Sequence, residues 1–429
     1  MNKFIKLSLV AAMAIGTSAL AEELNESSVL QEDLSAKEES GAAKKANSFK
    51  EMFSEGTASG QIRLGYAGNM VETDGDEDQS AAAIGGQLKF ETASFVGFSL
   101  GAAAYTSNYI PPLSGDQSDG EFNSELTSEA GNYTELAEAY INYSYEGLNL
   151  RAGRQLIDTP LADSDDIRMT PHTFEAYIAS YTLEDIGLTV LGGSVLNWQG
   201  VDADYDNVKN HGWVETGEDG TNLAAITYAQ GPIEAGAWYY DVTKAASAVY
   251  VDVVGTIEIG DDAEIVVAAQ YLNEGEKDDS TIEGSIMGAM IEAGFYGVTL
   301  AAAYDSVSVD DGNQIFEGFG GGSSYTNIDT MTAGTLHDGT VGDGSSYTVG
   351  AAYELYDVNI FGVYGDYEAD AIKGGEKAHV SEINLGVEYA YNDDEANVAF
   401  IYVIGEDKES SDKTDFDNDR VQLVVNYNF

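Results

Sequence analysis

The chain has 429 residues, 43% of them hydrophobic, yet Asp+Glu 74 against Lys+Arg 19 sets a formal net charge of -55. No apolar run reaches the ~18 residues of a membrane-spanning helix, and Cys 0 excludes disulfides and thiolate metal sites. A surface this acidic repels phosphate, so nucleic acid is excluded as a partner. High acidity alone would suit a disordered chain, but Gly 48, Tyr 27 and aliphatic residues in alternation point to strands.

Residues 1–21 read as a secretory signal peptide. Lys3 and Lys6 precede an apolar stretch from Leu7 to Ile15, and Ala19-Leu20-Ala21 forms a small-residue cleavage site. The mature chain is expected to be exported, and its lack of Cys suits an oxidising compartment. Residues 22–55 differ in kind: acidic at first (Glu22, Glu23, Glu26, Glu32, Asp33), then basic (Lys44, Lys45, Lys50). Leu30 and Leu34, then Phe49, Met52 and Phe53, stand at helical spacings. This arm reads as helical or disordered, on the side of the short turns. Entry into a lumen, contact with a neighbouring subunit and a solvated linker all fit it.

From residue 56 onward the period is two, not 3.6. In chain order the alternating runs are 57–66, 80–91, 96–105, 133–145, 147–155, 173–183, 186–196, 221–229, 232–242, 246–258, 263–272, 281–292, 296–305, 346–355, 357–367, 380–391, 396–405 and 420–429. That is eighteen strands, with sixteen as the alternative count. All five prolines fall between the runs, where no ladder hydrogen bond is lost. Connections alternate between short turns and longer loops, apart from 243–245. Such alternation marks an all-β, closed antiparallel transmembrane barrel with short periplasmic turns and long extracellular loops.

Parity in the last run separates two faces. Val421, Leu423, Val425, Tyr427 and Phe429 suit lipid, whereas Gln422, Asn426 and Asn428, with Val424, suit a wet lumen. In the first run Gln61 and Arg63 take the lumen parity, opposite Ile62, Leu64 and Tyr66. Aromatics beside the short turns, Tyr143, Tyr145, Tyr181, Phe295, Tyr296, Tyr353, Tyr356, Tyr389, Tyr391, Tyr427 and Phe429, form an expected interfacial girdle.

Catalytic chemistry has little to draw on. The four histidines (His172, His211, His337, His379) fall in loops or at strand ends, and no nucleophile-elbow, zinc-helix or phosphate-loop motif is present. No enzyme and no cofactor is expected. The glycines from Gly318 to Gly322 read as flexible loop. Three of five arginines, Arg151, Arg154 and Arg168, fall within eighteen residues around the loop 156–172, which also holds Asp158, Asp163, Asp165 and Asp166. Two readings fit. Folded into the barrel, the loop is a constriction whose opposed charges select ions; left outside, it is a surface salt-bridge cluster. Acidic runs at Glu72–Asp78 and Glu406–Asp419 suit clustered carboxylates around Ca²⁺, but no EF-hand spacing is present.

Several motifs carry a resemblance. Gly153-Arg154-Gln155 through Pro160, Asp165-Asp166-Ile167-Arg168-Met169-Thr170-Pro171 and Thr173-Phe174-Glu175 resemble the third-loop region of porin D type outer-membrane porins. That family includes the major outer-membrane porins of Campylobacter-like bacteria. The stretch from Phe49 to Tyr66, with Gly60-Gln61-Ile62-Arg63, is similar to the same family's entry into strand one. Terminal Phe429 resembles the residue that bacterial barrels present to their assembly machinery. The resemblance implies an 18-stranded barrel in outer-membrane lipid, diffusion of small hydrophilic solutes, and often a homotrimer. Five arginines are few for the basic ladder of carboxylate-specific members, so the acidic balance points to a general, cation-preferring pore. A secreted or surface-anchored acidic β-protein, an adhesin or Ca²⁺-binding structural layer, is the alternative.

Overall fold

The computed structural model describes residues 44–71, 77–116, 120–127, 131–166, 168–201, 203, 212–260, 263–310, 312–320, 322–328, 336, 340–372, 377–392, 395–409 and 418–429. The signal peptide, the arm as far as residue 43 and much of both acidic loop runs lie outside these residues.

The wall has eighteen strands: β1 Thr57–Val71, β2 Gln79–Glu91, β3 Phe98–Tyr109, β4 Asn132–Tyr145, β5 Leu148–Gln155, β6 Thr173–Leu183, β7 Leu188–Gln199, β8 Thr221–Gln230, β9 Ile233–Val242, β10 Ala246–Glu258, β11 Ala263–Glu276, β12 Gly284–Phe295, β13 Val298–Val309, β14 Val341–Leu355, β15 Val358–Ala371, β16 Ala378–Tyr391, β17 Ala396–Asp407 and β18 Asn418–Asn428. Each pairs antiparallel with its neighbour in sequence. β1 also pairs with β18, from Gln61↔Asn428 to Val71↔Asn418, and this closes the sheet. Each alternating run of the sequence is one of these strands. Several strands extend outward past the run that announces them. β1 continues through Ala67-Gly68-Asn69-Met70-Val71 and β14 begins at Val341-Gly342-Asp343. There the apolar half of the alternation fades, as it must where a strand rises above the hydrocarbon.

Closure sorts the side chains by parity. On β18 Arg420, Gln422, Val424 and Asn426 are buried, while the residues between them are half-buried and Tyr427 beyond them is exposed. On β1 Arg63 is buried between exposed Ile62 and Leu64. Except for Tyr143, the aromatics beside the short turns are exposed on the outer face. The tightest turns have two residues with positive φ, as at Glu146-Gly147 and Tyr296-Gly297. These backbone twists match the twist of the flanking strands. One bulge matters for the lumen. Between β3 and β4 the register slips after Ala103, so that Ala103 faces Glu138 and Tyr105 faces Glu135. An extra residue on β4 therefore turns both glutamates inward although they are three apart.

Residues 44–55 stay out of the lumen. Helix α1, Phe49–Ser54, starts at Ser48, whose Oγ accepts from the Glu51 N–H. Met52 buries against Ala93 with Phe95 and Leu100, beside the β2–β3 turn.

The face assignment is testable. Leu423→Arg places a cation in lipid and should cost about 2–4 kcal/mol. Gln87→Arg points into the lumen beside open space and should cost about 0.5 kcal/mol or less. Urea unfolding in liposomes compares them, and equal losses would invert the assignment.

Candidate functional site

Loop 156–172 folds inward and crosses the barrel. Its tip is a hairpin pairing Asp158↔Asp163 and Thr159↔Ala162, closed by Ile157 N–H donating to Ser164 Oγ at 2.8 Å. Ile157 and Leu161 are buried in the large apolar cluster with Tyr240 of β9. The far limb reaches β1. There the Arg63 guanidinium, 0% exposed, grips both Asp166 oxygens at 2.6 and 2.7 Å. It also donates to the Arg168 carbonyl at 2.7 Å and to Asn426 Oδ1 at 2.7 Å. A buried guanidinium needs such a full set of acceptors, and a two-pronged carboxylate pair is the strongest available. Arg168 in turn donates through Nε to Glu125 Oε2 at 2.7 Å, and Arg420 of β18 holds the same oxygen. Glu125 thus ties loop 110–131 to loop 156–172 and to the wall.

A second loop comes inside as well. Residues 312–320 and 322–328 pack along β11 to β15. Phe316 N–H donates to Glu274 at 2.8 Å, and Thr326 donates through N–H and Oγ1 to Asp305, both at 2.8 Å. Tyr367 Oη donates to the Thr326 carbonyl at 2.6 Å. The two loops meet backbone to backbone, with Asp163 N–H to Phe319 O at 2.9 Å and Phe319 N–H to Leu161 O at 3.1 Å. At Gly318 and Gly320 this replaces the reading of Gly318 to Gly322 as flexible loop; Gly321 lies outside the described residues. Gly318 has φ +107, and a Cβ there would sit 2.8 Å from Leu161 Cα. At Gly320, φ +101, a Cβ would strike the Asp163 carbonyl. These glycines permit close approach of two backbones.

The sequence-predicted residues divide accordingly. Asp166 and Arg168 meet Arg63, and Asn426 joins them, whereas Asp158 and Asp163 belong to the hairpin. Asp165 accepts from the His172 N–H through its carbonyl at 3.2 Å. Arg151 is buried on the inner face of β5, 4.7 Å from the Tyr140 ring centre. Gln61 lines a 480 Å³ cavity at the short-turn end with Gln87, Lys89, Glu138 and Asn428. Gln422 is buried at inner parity. Arg154 is a correction. It pairs across from Ala139 on the outer parity, donates to the Leu136 carbonyl and lies over the Trp213 ring at 4.6 Å. Three residues along a strand from Arg151, it cannot share that residue's face.

Charge is segregated around the lumen. Four of the five arginines, with Lys89, lie along β18, β1, β2, β5 and the loop folded against them. Lys89 meets Glu138 at 2.8 Å, and Glu138 also accepts from Tyr105 Oη at 2.9 Å. From β9 to β16 the inner parity carries Glu234, Asp252, Glu274, Glu292, Asp305 and Glu382, and these strands contain no Lys or Arg. Sequence reasoning missed Lys89, Glu125, Glu138 and Arg420. Parity alone would have found Lys89 and Arg420, but Glu138 is hidden by the bulge and Glu125 lies in a loop.

Glu125 makes a pH prediction. Burial by itself would raise its carboxyl, but Arg420 and Arg168 outweigh that and hold it at about 2, below the ordinary 4.5. A carboxyl depressed in the folded state stabilises fully above its ordinary value and progressively less as pH falls towards the depressed one. The tie between the two loops should therefore weaken between pH 4.5 and about 2. Limited proteolysis of loop 110–131 at stepped pH reads this, and Glu125→Gln should show the loosened pattern already at pH 7.

Comparison with known proteins agrees with this architecture. No curated protein sequence matches significantly. Among solved structures, OccAB4 of Acinetobacter baumannii superposes with TM-score 0.74 at 17% identity, covering 87% of this chain and 98% of its own. The outer membrane protein OpdK of Pseudomonas aeruginosa superposes with TM-score 0.72 at 18% identity, covering 88% and 99%. OpdK with vanillate gives 0.73 at 18%, with the same coverage. The family description "outer membrane porin, OprD family" matches residues 51–429. An 18-stranded closed barrel with inward loops and a charge-segregated lumen, matched over that span, belongs to the OprD family of outer membrane porins, which are channels of the bacterial outer membrane and not enzymes.

Proposed function

We propose that the chain is a passive diffusion channel for small hydrophilic solutes and ions that prefers cations. The observation carrying this reading is the charge imbalance of the lumen. The basic arc is largely neutralised in place: Arg63 by Asp166, Lys89 by Glu138, and Arg168 and Arg420 by Glu125. The facing arc is acidic, and towards its short-turn end Glu234 and Asp252 lie on adjacent strands. In confined water such charges act on a passing ion with less screening than in bulk. Kinship with the major porins of Campylobacter-like bacteria rests on the loop and strand-one motifs.

A second reading has its own support. The basic residues form one arc rather than a scatter, and a structurally similar channel has been solved with vanillate. A carboxylate solute would follow that arc. Its existing ion pairs favour the general pore, because an incoming carboxylate must compete with carboxylates already seated.

Reversal potential under a tenfold KCl gradient in a planar bilayer separates the readings. The native channel should show a cation-selective sign. Asp252→Asn with Glu234→Gln should reduce it, and Asp166→Asn, which leaves Arg63 uncompensated, should push it towards anions. Glu368→Gln with Asp370→Asn, on the outer rim, should change little above ~0.1 M salt, where the Debye length is ~10 Å. An anion-selective native channel blocked by millimolar vanillate would favour the second reading.

We also infer that Phe429 serves assembly. It ends β18 outside the barrel, exchanging backbone hydrogen bonds with Gly60 at 2.8 and 2.9 Å and stacking on Tyr427. Deleting it should lower outer-membrane levels and leave the chain in the periplasm. Normal levels in fractionated membranes would count against this role.

A further inference from the structure

We propose that residues 44–54 form an interfacial anchor that seats on anionic phospholipid headgroups of the periplasmic leaflet. The segment is fixed to the barrel. Ala46 N–H donates to Ser94 O at 2.8 Å, Ser94 N–H to Lys44 O at 2.9 Å, and Ala93 N–H to Met52 O at 2.9 Å. Met52, 3% exposed, packs with Leu100, which β3 carries on its outer parity opposite exposed Ile141. Helix α1 therefore lies on the lipid-facing flank of the wall, at the end where the short turns are.

Its remaining apolar side chains are uncovered. Phe49 is 65% exposed and Phe53 44%, their ring centres 5.3 Å apart in an edge-to-face pair. They continue the exposed aromatic band formed nearby by Phe90, Phe98 and Tyr145. Rings at that depth favour the boundary between headgroups and acyl chains. The charge on the same segment is the exception in this chain. Lys44, Lys45 and Lys50 are exposed and fall within seven residues, out of 19 Lys+Arg in the whole sequence. Glu51, which accepts from the Asn47 backbone N–H at 2.8 Å and side-chain amide at 3.1 Å, and exposed Glu55 offset part of this charge and leave the stretch net positive. A protein of net charge -55 is repelled by an anionic bilayer surface; a basic cluster beside two interfacial rings supplies local attraction where the wall enters lipid. A second copy of the chain would be covered by the rings alone and has no need of the lysines.

The chain has Cys 0, so Phe49→Cys offers a single nitroxide site in the full-length protein. The labelled protein is reconstituted in vesicles of phosphatidylethanolamine, with and without one-fifth phosphatidylglycerol. Collision rates with oxygen and with a water-soluble nickel chelate are read, after heat-modifiable mobility shows that the barrel is folded. The expected result is a label more accessible to oxygen than to nickel, by a ratio that rises several-fold with phosphatidylglycerol. Lys44→Gln, Lys45→Gln and Lys50→Gln together should abolish that rise and leave the barrel folded. Nickel accessibility equal to that of a label at Glu368→Cys in both lipids would overturn the proposal in favour of a solvated segment. Dipolar broadening between labels, independent of lipid, would overturn it in favour of contact between copies.

Discussion

Hydrocarbon provides no partner for a backbone N–H or C=O, and each group left unpaired there costs several kcal/mol. That constraint makes β1 pair with β18, and the rest of the molecule follows from the closure. A closed wall has one inside and one outside, so every residue between the rims is assigned by parity to lipid or to lumen. Leu423 and Gln422, adjacent in sequence, end in different solvents for this reason alone. Closure also means that any loop longer than a turn must either stand in water or enter the lumen.

Of the loops that enter, two are each held by a buried charge on the wall. Arg63 holds loop 156–172 through Asp166, whose side chain keeps 15% exposure. Asp305 holds the 322–328 segment through Thr326 and is steadied by Gln270 at 3.1 Å. The two anchors have opposite signs and stand on opposite arcs. The residues that fix the loops thus also set the lumen's transverse polarity. Breaking either anchor exposes a buried charge as well as releasing a loop, which couples the shape of the passage to its electrostatics.

Much of the wall was legible beforehand because a half-buried strand writes its environment with a period of two. Where the period is interrupted, legibility stops. Glu135 and Glu138 face the same way only through a bulge, and no rule of alternation places them together. Arg154 sits close in sequence to Arg151 and Arg168, and proximity alone groups it with the loop. Parity sets it apart, against Trp213 on the outer face. The glycines near 320 have the composition of a flexible loop. Their purpose depends on a backbone some 160 residues away, which composition does not encode.

By itself the sequence determined the strand count, the short-turn and long-loop ends, the face of each regular strand and the low supply of basic residues. All of these are local properties, written in spacing and composition. Only the tertiary structure decided which charges meet: Arg63 with Asp166, Glu125 with both Arg168 and Arg420, and the acidic β9–β16 arc with the basic arc across the lumen. It also decided that α1 lies outside the wall with its two phenylalanines uncovered. Closing the sheet brings residue 63 beside residue 426, and folding the loops inward brings residue 166 to both. Such long-range pairings depend on the curvature of the barrel and the paths of its loops, which no local pattern along the chain records.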